Sequence, residues 1–268
     1  MDYAKKIKQI EIGDGITGLN RSALNGLPAL TAIHFGTGIK QVGVFDFGEV
    51  PKLKSVRLSG PVNGLAFPLR LTEVVMDENP DATLTVDGIY VTSKSGSSGA
   101  VYCIGNQKGT VVLPKQFLTV AMYSFNNMKS MKGIVLGEKL TGIYNYAFTG
   151  CTSLASVTLP ASLNIMGDHV FDGCKALKQV VFLGEKVSLG APFAGCTGLQ
   201  GIVLPAVDTL KADCFRDCTA LKTVHFGGTQ EDWDALTMAR ANDALTSAAL
   251  IPQSQPSAAA DEPQDAAD

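Results

Sequence analysis

Apolar residues recur along this chain at a spacing too long for a single helix turn or strand. Phe148, Phe171, Phe193 and Phe215 stand 23, 22 and 22 residues apart, and the same steps separate Cys151, Cys174, Cys196 and Cys218. Leu154, Leu177, Leu199 and Leu221 keep that register. Each unit reads L-x-x-V-x-L, and its last two apolar positions alternate with polar or variable ones, as a short half-buried strand does. The chain then turns, often at proline, as at Pro114, Pro160 and Pro205. The Phe and Cys positions lie on the return side, where an apolar pair three residues apart suits a helical or 3₁₀ turn packed inward.

The pattern extends upstream with looser chemistry. Phe125, Met128 and Met131 precede Ile134 and Leu136; Leu24, Leu27 and Leu30 precede Ile33 and Phe35; Phe47, Val50 and Leu53 precede Val56 and Leu58. Ile7, Ile10 and Ile12 form the earliest copy, and Leu65, Leu71, Val74 and Met76 a shortened one. About ten stacked strands follow, since no unit of this length buries its apolar face alone. A period in this range is that of a leucine-rich repeat. The expected fold is an α/β repeat: a leucine-rich-repeat solenoid over residues 1–252, with a concave parallel β-sheet and short helical or 3₁₀ convex segments.

Two segments break the period. Residues 77–109 alternate apolar positions around a Ser/Gly-rich turn, which predicts an inserted β-hairpin projecting from the solenoid. In 227–252, Thr229 with Asp232 three residues on resembles a capping box, and the helix it opens carries Trp233 and Leu236 on one face, as a cap closing the open end. Residues 253–268 hold almost no large apolar side chain and are expected to be disordered. Only six residues precede Ile7, and an exposed solenoid end normally needs a cap, so the expectation is a chain cut from something longer.

Composition narrows the function classes. Against 25 acidic residues stand 22 basic ones, and a net charge of −3 gives no global pull toward nucleic acid or an anionic membrane. No apolar run is long enough to span a bilayer, and the start MDYAKKIKQI has no apolar signal-peptide core. The expected chain is therefore one that does not insert into membranes or bind nucleic acid, and it calls for no cofactor or metal.

Written out from Ile143, the unit IYNYAFTGCTSLASVTLP resembles the BspA-like leucine-rich-repeat family, whose units carry I-x-x-x-A-F-x-G-C-x-x-L-x-x-V-x-L-P. The insert VDGIYVTSKSGSSGAVYCIGNQKGTVVLP and the segment GGTQEDW are similar to the hairpin and closing motif of such arrays. The resemblance covers about residues 7 to 250 and is looser before Pro80, where cysteine is missing and Leu24 and Leu65 replace Phe. It implies an extracellular or cell-surface protein, bacterial or protozoan, that adheres to host proteins, matrix or other cells. It names no ligand.

The chemistry-bearing residues each admit a plainer role. Thiols on coils stacked about 4.8 Å apart approach disulfide geometry, yet a cysteine column followed by a core leucine reads as packing, with Met128 and Val50 in the same position. Cys214, Cys218 and His225 lack the second pair that a structural zinc site needs. Cys174 with His169 lacks an orienting third group. His34 and His225 fall on outward strand positions, the glycines follow turns without a phosphate-loop lysine, and Asn20-Arg21-Ser22 is a glycosylation sequon of high chance rate.

What remains is a surface. The residue between the two core positions of each strand points outward: Glu11, His34, Arg57, Val75, Val112, Val135, Thr158, Val181, Val203 and His225. Valine's β propensity explains part of the row. Stacked exposed valines would also make an apolar stripe of the kind that marks interaction sites, here centred on Val135, Val181 and Val203. Lys8, Lys54, Lys132, Lys178 and Lys222 follow the first apolar residue of their units and give the stripe a basic margin that favours an acidic rim. The leading reading is a non-catalytic module that binds a protein or cell-surface macromolecule, or a second copy of itself. The alternative is a structural spacer of a larger surface protein. An enzyme would need a catalytic cluster outside the repeat register, and the sequence presents none.

Overall fold

The structure, a computed structural model, describes residues 3–20, 23–43, 50–65, 71–93 and 100–252. Phe47, the sequon's Arg21 and Ser22, the Ser/Gly-rich turn at 94–99 and the segment 253–268 lie outside the described residues. The chain is a parallel β-solenoid. Its main strands stack in three blocks: Gln9–Ile12, Ala32–Phe35, Ser55–Leu58 and Glu73–Met76; then Gly109–Val112 with Met131–Val135; then Ser156–Leu159, Gln179–Phe182, Gly201–Leu204, Thr223–Phe226 and Ala249–Pro252.

Repeats of 22 and 23 residues set the register from Val157 to Val224, and a longer closing coil brings Leu250 into line with them. Val157, Val180, Ile202, Val224 and Leu250 stand opposite one another, and the first four are buried. One residue on, Thr158, Val181, Val203, His225 and Ile251 form the outward row, as period-two alternation requires. The core divides into two clusters, one running from Ile12 to Tyr102 and the other from Tyr90 to Leu245.

The return side differs from the expected run of helical turns. A second row of two-residue strands lies there, with Thr119–Val120, Gly142–Ile143, Ile165–Met166 and Ser188–Leu189 in one sheet. The Phe and Cys segments are successive tight turns. Tyr123, Tyr146, His169 and Asp213 take φ of 60–63°, and Gly150, Gly173 and Gly195 follow at 68–72°. A left-handed residue every few positions cannot continue a helix. The amides so turned reach the next coil: Phe125 N–H donates to Ala147 O (2.8 Å), Phe148 to Val170 O (2.9 Å) and Phe171 to Pro192 O (2.7 Å). Hydrogen bonds that a helix would keep to itself hold the stack together.

Between these turns the phenylalanines stack. Ring centroids of Phe125, Phe148, Phe171, Phe193 and Phe215 succeed one another at 5.0, 5.3, 5.9 and 5.3 Å. The cysteine column lies beside them, reduced and buried. Each thiol donates to the phenylalanine carbonyl of the preceding coil: Cys151 to Phe125 O, Cys174 to Phe148 O, Cys196 to Phe171 O and Cys218 to Phe193 O, at 3.1–3.2 Å. The column therefore fills space and caps a carbonyl at once. Burial pushes the thiols of Cys174, Cys196 and Cys214 well up, and that of Cys218 up to about 12, so they stay protonated and unreactive.

The insert does not project as a free hairpin. Leu84–Asp87, Tyr90–Ser93 and Ala100–Cys103 form three antiparallel strands, and the last continues the second sheet at Val120. Val91 and Tyr102 pack into the first core, Tyr90 and Cys103 into the second. The buried Tyr102 hydroxyl accepts Leu71 N–H at 2.7 Å. These strands wedge between the two halves because both of their faces are apolar.

At the far end Thr229 forms a capping box with Asp232, and Trp233 packs edge-on against Phe226 at 5.2 Å. This Gln230–Ala235 helix is one part of a further coil. Thr237–Met238 extends the second row, Leu245 is fully buried, and Ala249–Pro252 adds a strand to the main sheet. Asn242 ends the turn stack: its Oδ1 accepts Phe215 N–H (3.0 Å), and its Nδ2 donates to Lys211 O and Ala239 O. It stands in for the carbonyl that the next coil would have offered.

Three outcomes follow from this packing. A thiol reagent should leave all six cysteines unmodified until the protein unfolds, reductant should not shift the melting temperature, and Cys174→Ala should cost about 1–3 kcal/mol in denaturant titration. Asn242→Ala should cost about 1–3 kcal/mol by orphaning a buried amide. Truncation after Gly228 should bare the Thr223–Phe226 edge and cause association, visible in light scattering.

Candidate binding face of the main sheet

The outward row has two chemical halves. In the first, side chains bond to each other. His34 Nε2 lies 2.8 Å from Ser59 Oγ and its Nδ1 lies 3.7 Å from Glu11 Oε1. Ser59 donates to Asp77 Oδ2 at 2.5 Å, and Arg57 pairs with Asp77 at 2.7 Å. Hydrogen bonds from Arg57 and Ser59 hold the Asp77 carboxyl below its ordinary range. Ser59's proton is directed to the carboxylate, so its oxygen is left to accept from His34. That polarity is opposite to the one in which histidine takes a proton from a serine nucleophile. Sequence reasoning missed Ser59 and Asp77, which immediately follow their strands and escape the alternation rule.

The second half is aliphatic. Val112 is 64% exposed and Val135 51%, and they stand opposite each other in register. A pocket of about 230 Å³ opens beside them, lined by Val112, Leu113, Lys115, Val135, Leu136 and Lys139 among others. The expected stripe is not continuous. The inserted strands separate Val75 from Val112, and no ladder joins Met131–Val135 to Ser156–Leu159. The polar, exposed Thr158 follows, and Val181 and Val203 are half-buried. Exposure gathers at Val112 and Val135, whereas Val181 and Val203 lie inside the unbroken five-stranded block.

Lys132, Lys178 and Lys222 are exposed at the entry to this face. Backbone bonds fix their alignment: Ala155 N–H donates to Lys132 O, Lys178 to Ala155 O, Gln200 to Lys178 O and Lys222 to Gln200 O, at 2.8–3.0 Å. The lysines thus occupy every second coil of one column. Thr31 stands between Lys8 and Lys54 in the same way.

The remaining candidates stay apart. His169 Nδ1 lies 2.6 Å from Asp172 Oδ2, and its ring stacks on Tyr146, which stacks on Tyr123. Cys174 instead points its thiol at a core carbonyl. Desolvation raises the Asp172 carboxyl, whose buried Oδ1 finds no hydrogen-bond donor. Among the described residues no three His, Cys, Asp or Glu side chains converge as a metal ion requires, around Cys214 and Cys218 or elsewhere. Among the same residues no helix is long and apolar enough to cross a membrane.

Known structures share this coil. A leucine-rich cell surface protein of Faecalibacterium prausnitzii aligns with 88% of the chain at 17% identity and a TM-score of 0.74. The chain spans 64% of that protein's length. The pneumococcal vaccine antigen PcpA aligns with 93% of the chain and 69% of its own length, at 19% identity and a TM-score of 0.70. A leucine-rich repeat protein of Eubacterium ventriosum aligns with 82% of the chain and 73% of its own length, at 17% identity and a TM-score of 0.58. Curated proteins give no sequence match. The family model for the BspA type leucine-rich repeat region matches in six copies over residues 2–66, 102–222 and 187–232. With well over half of its length matched, the chain belongs to the BspA-type leucine-rich repeat family.

Proposed function

We propose that the chain is a protein-binding module of a cell-surface protein, and that it engages its partner through the outward face of the main sheet. The observation that carries this reading is the in-register pair Val112 and Val135, exposed beside an apolar pocket. Two valines open to water on neighbouring strands have no role in the core, and contiguous exposed apolar surface on a soluble domain marks a contact site. A pocket of this size admits one aliphatic or aromatic side chain, the kind of anchor on which interfaces depend. Thr158, Val181 and Val203 continue the face, and Lys132, Lys178 and Lys222 border it.

The surface location draws support from the related folds: the F. prausnitzii protein is described as a cell surface protein and PcpA as a vaccine antigen. The hydrogen-bonded first half of the row suits a rigid platform rather than a reactive centre, since its polar groups are already paired.

The test is an array of matrix and cell-surface proteins probed with the labelled chain. The wild type should capture one or more of them, and Val112→Asp/Val135→Asp, with its melting temperature unchanged, should bind at least about tenfold more weakly. Equal binding by the folded double variant, or no capture by the wild type, would refute the reading.

A further inference from the structure

We propose that the lysine column beside this face holds an extended acidic segment of the partner polypeptide, running along the solenoid axis with a carboxylate at every third residue. This rests on the protein-binding reading above and adds the chemistry and direction of the bound chain.

The strands are parallel, so each enters the face from the same side. On that entry side, residues 128–135, 151–158, 174–181, 196–203 and 218–225 hold Lys129, Lys132, Lys175, Lys178 and Lys222 and not one Asp or Glu. The exit side is mixed: it carries the acids Glu138, Glu185, Asp208, Glu231 and Asp232 together with Lys115, Lys139 and Lys186. A chain of net charge −3 thus presents an acid-free basic edge across five consecutive coils. The carboxylate nearest in sequence, Asp217, faces Arg216 at 3.6 Å. Among the described residues Lys132, Lys178 and Lys222 form no ion pair, so their charges are available to a ligand.

Spacing selects the conformation of the bound segment. Coils stack about 4.8 Å apart, so lysines on every second coil repeat at about 9.6 Å. A polyproline II chain returns the same face every three residues, at about 9.3 Å. A β-strand points residues i and i+3 to opposite faces and cannot match the column. Of the neighbouring outward residues, Val135, Thr158, Val181 and Val203 offer no ring on which a sugar or a base could stack, His225 alone being aromatic, and aliphatic side chains fit the valines. An acidic polypeptide with apolar residues between its carboxylates meets both the charge and the valines. The chain's own Glu262, Asp265 and Asp268 share the three-residue period, but residues 257–268 contain nothing bulkier than proline or glutamine to cover the valine row.

The experiment titrates full-length protein into a labelled peptide of repeated Pro-Val-Glu units and into an isomer of the same composition with its glutamates in one block. The regular peptide should bind about tenfold more tightly than the block isomer, with an affinity that falls as salt is added. Lys132→Glu/Lys178→Glu/Lys222→Glu should abolish that preference. Lys40→Glu/Lys186→Glu/Arg240→Glu, with the same change in charge off the column, should keep it. Equal binding of the two isomers, or a column variant that binds like the wild type, overturns the proposal. Tight binding that emerges only in Glu262→Ala/Asp265→Ala/Asp268→Ala overturns it as well, by assigning the column to the chain's own segment. If the peptide fails while Val112→Asp/Val135→Asp still loses its protein on the array, the acidic-segment inference falls and the binding-module reading stands.

Discussion

The backbone hydrogen bond from one coil to the next is the constraint on which the rest of this protein depends. It operates at the main strands, at the short second row and at the return turns, where Phe125, Phe148 and Phe171 each donate into the following coil. Steps of 22 and 23 residues keep every position of the later coils in line, and the 18-residue step from Ser55 to Glu73 and the 26-residue step from Thr223 to Ala249 absorb their difference outside the paired strands. Once coils are stacked in register, side chains of one repeat position fall on a line. Phenylalanine rings then meet face to face, and each cysteine thiol reaches a carbonyl one coil back. A residue that serves one coil serves all, so the columns follow from the hydrogen bonding.

An array held this way must be terminated, because its last coil offers amides that nothing receives. Asn242 solves the problem with a side chain: one amide oxygen takes Phe215 N–H and one amide nitrogen serves two carbonyls. The inserted strands solve a different one. The two cores would present ragged apolar ends to each other, and Tyr90, Val91, Tyr102 and Cys103 fill the junction from both faces of the inserted strands.

How much of this was legible follows from what repeats. The Phe, Cys and Leu columns and the inward strand residues were visible because burial imposes one residue class at one position. The second strand row was not, since Gly142–Ile143 or Ser188–Leu189 is too short to show alternation. The return turns looked helical because an apolar pair three residues apart fits a helix and a tight turn equally, and no composition rule announces a left-handed tyrosine such as Tyr123 or Tyr146. Tyr102 escaped notice because its partner is 31 residues away. Alternation identified which residues face outward, yet the exposure of each depends on its neighbours. Val135 is exposed at the end of the two-stranded block, and Val181 is half-covered within the five-stranded one.

The outward row is where the fold stops dictating sequence. Inward positions must be apolar and turn positions must accept their φ, but an outward side chain has only its two neighbours in the column to satisfy. In the first half those neighbours were resolved into a paired network of Glu11, His34, Arg57, Ser59 and Asp77. In the second half they were left as valine, and lysines were set on alternate coils. Like charges on adjacent coils would stand about 4.8 Å apart and repel, and one intervening Ala155 or Gln200 doubles that distance. The stacking period that builds the core therefore also sets the spacing of the surface charges, so a partner would meet lysines placed by the backbone's own repeat.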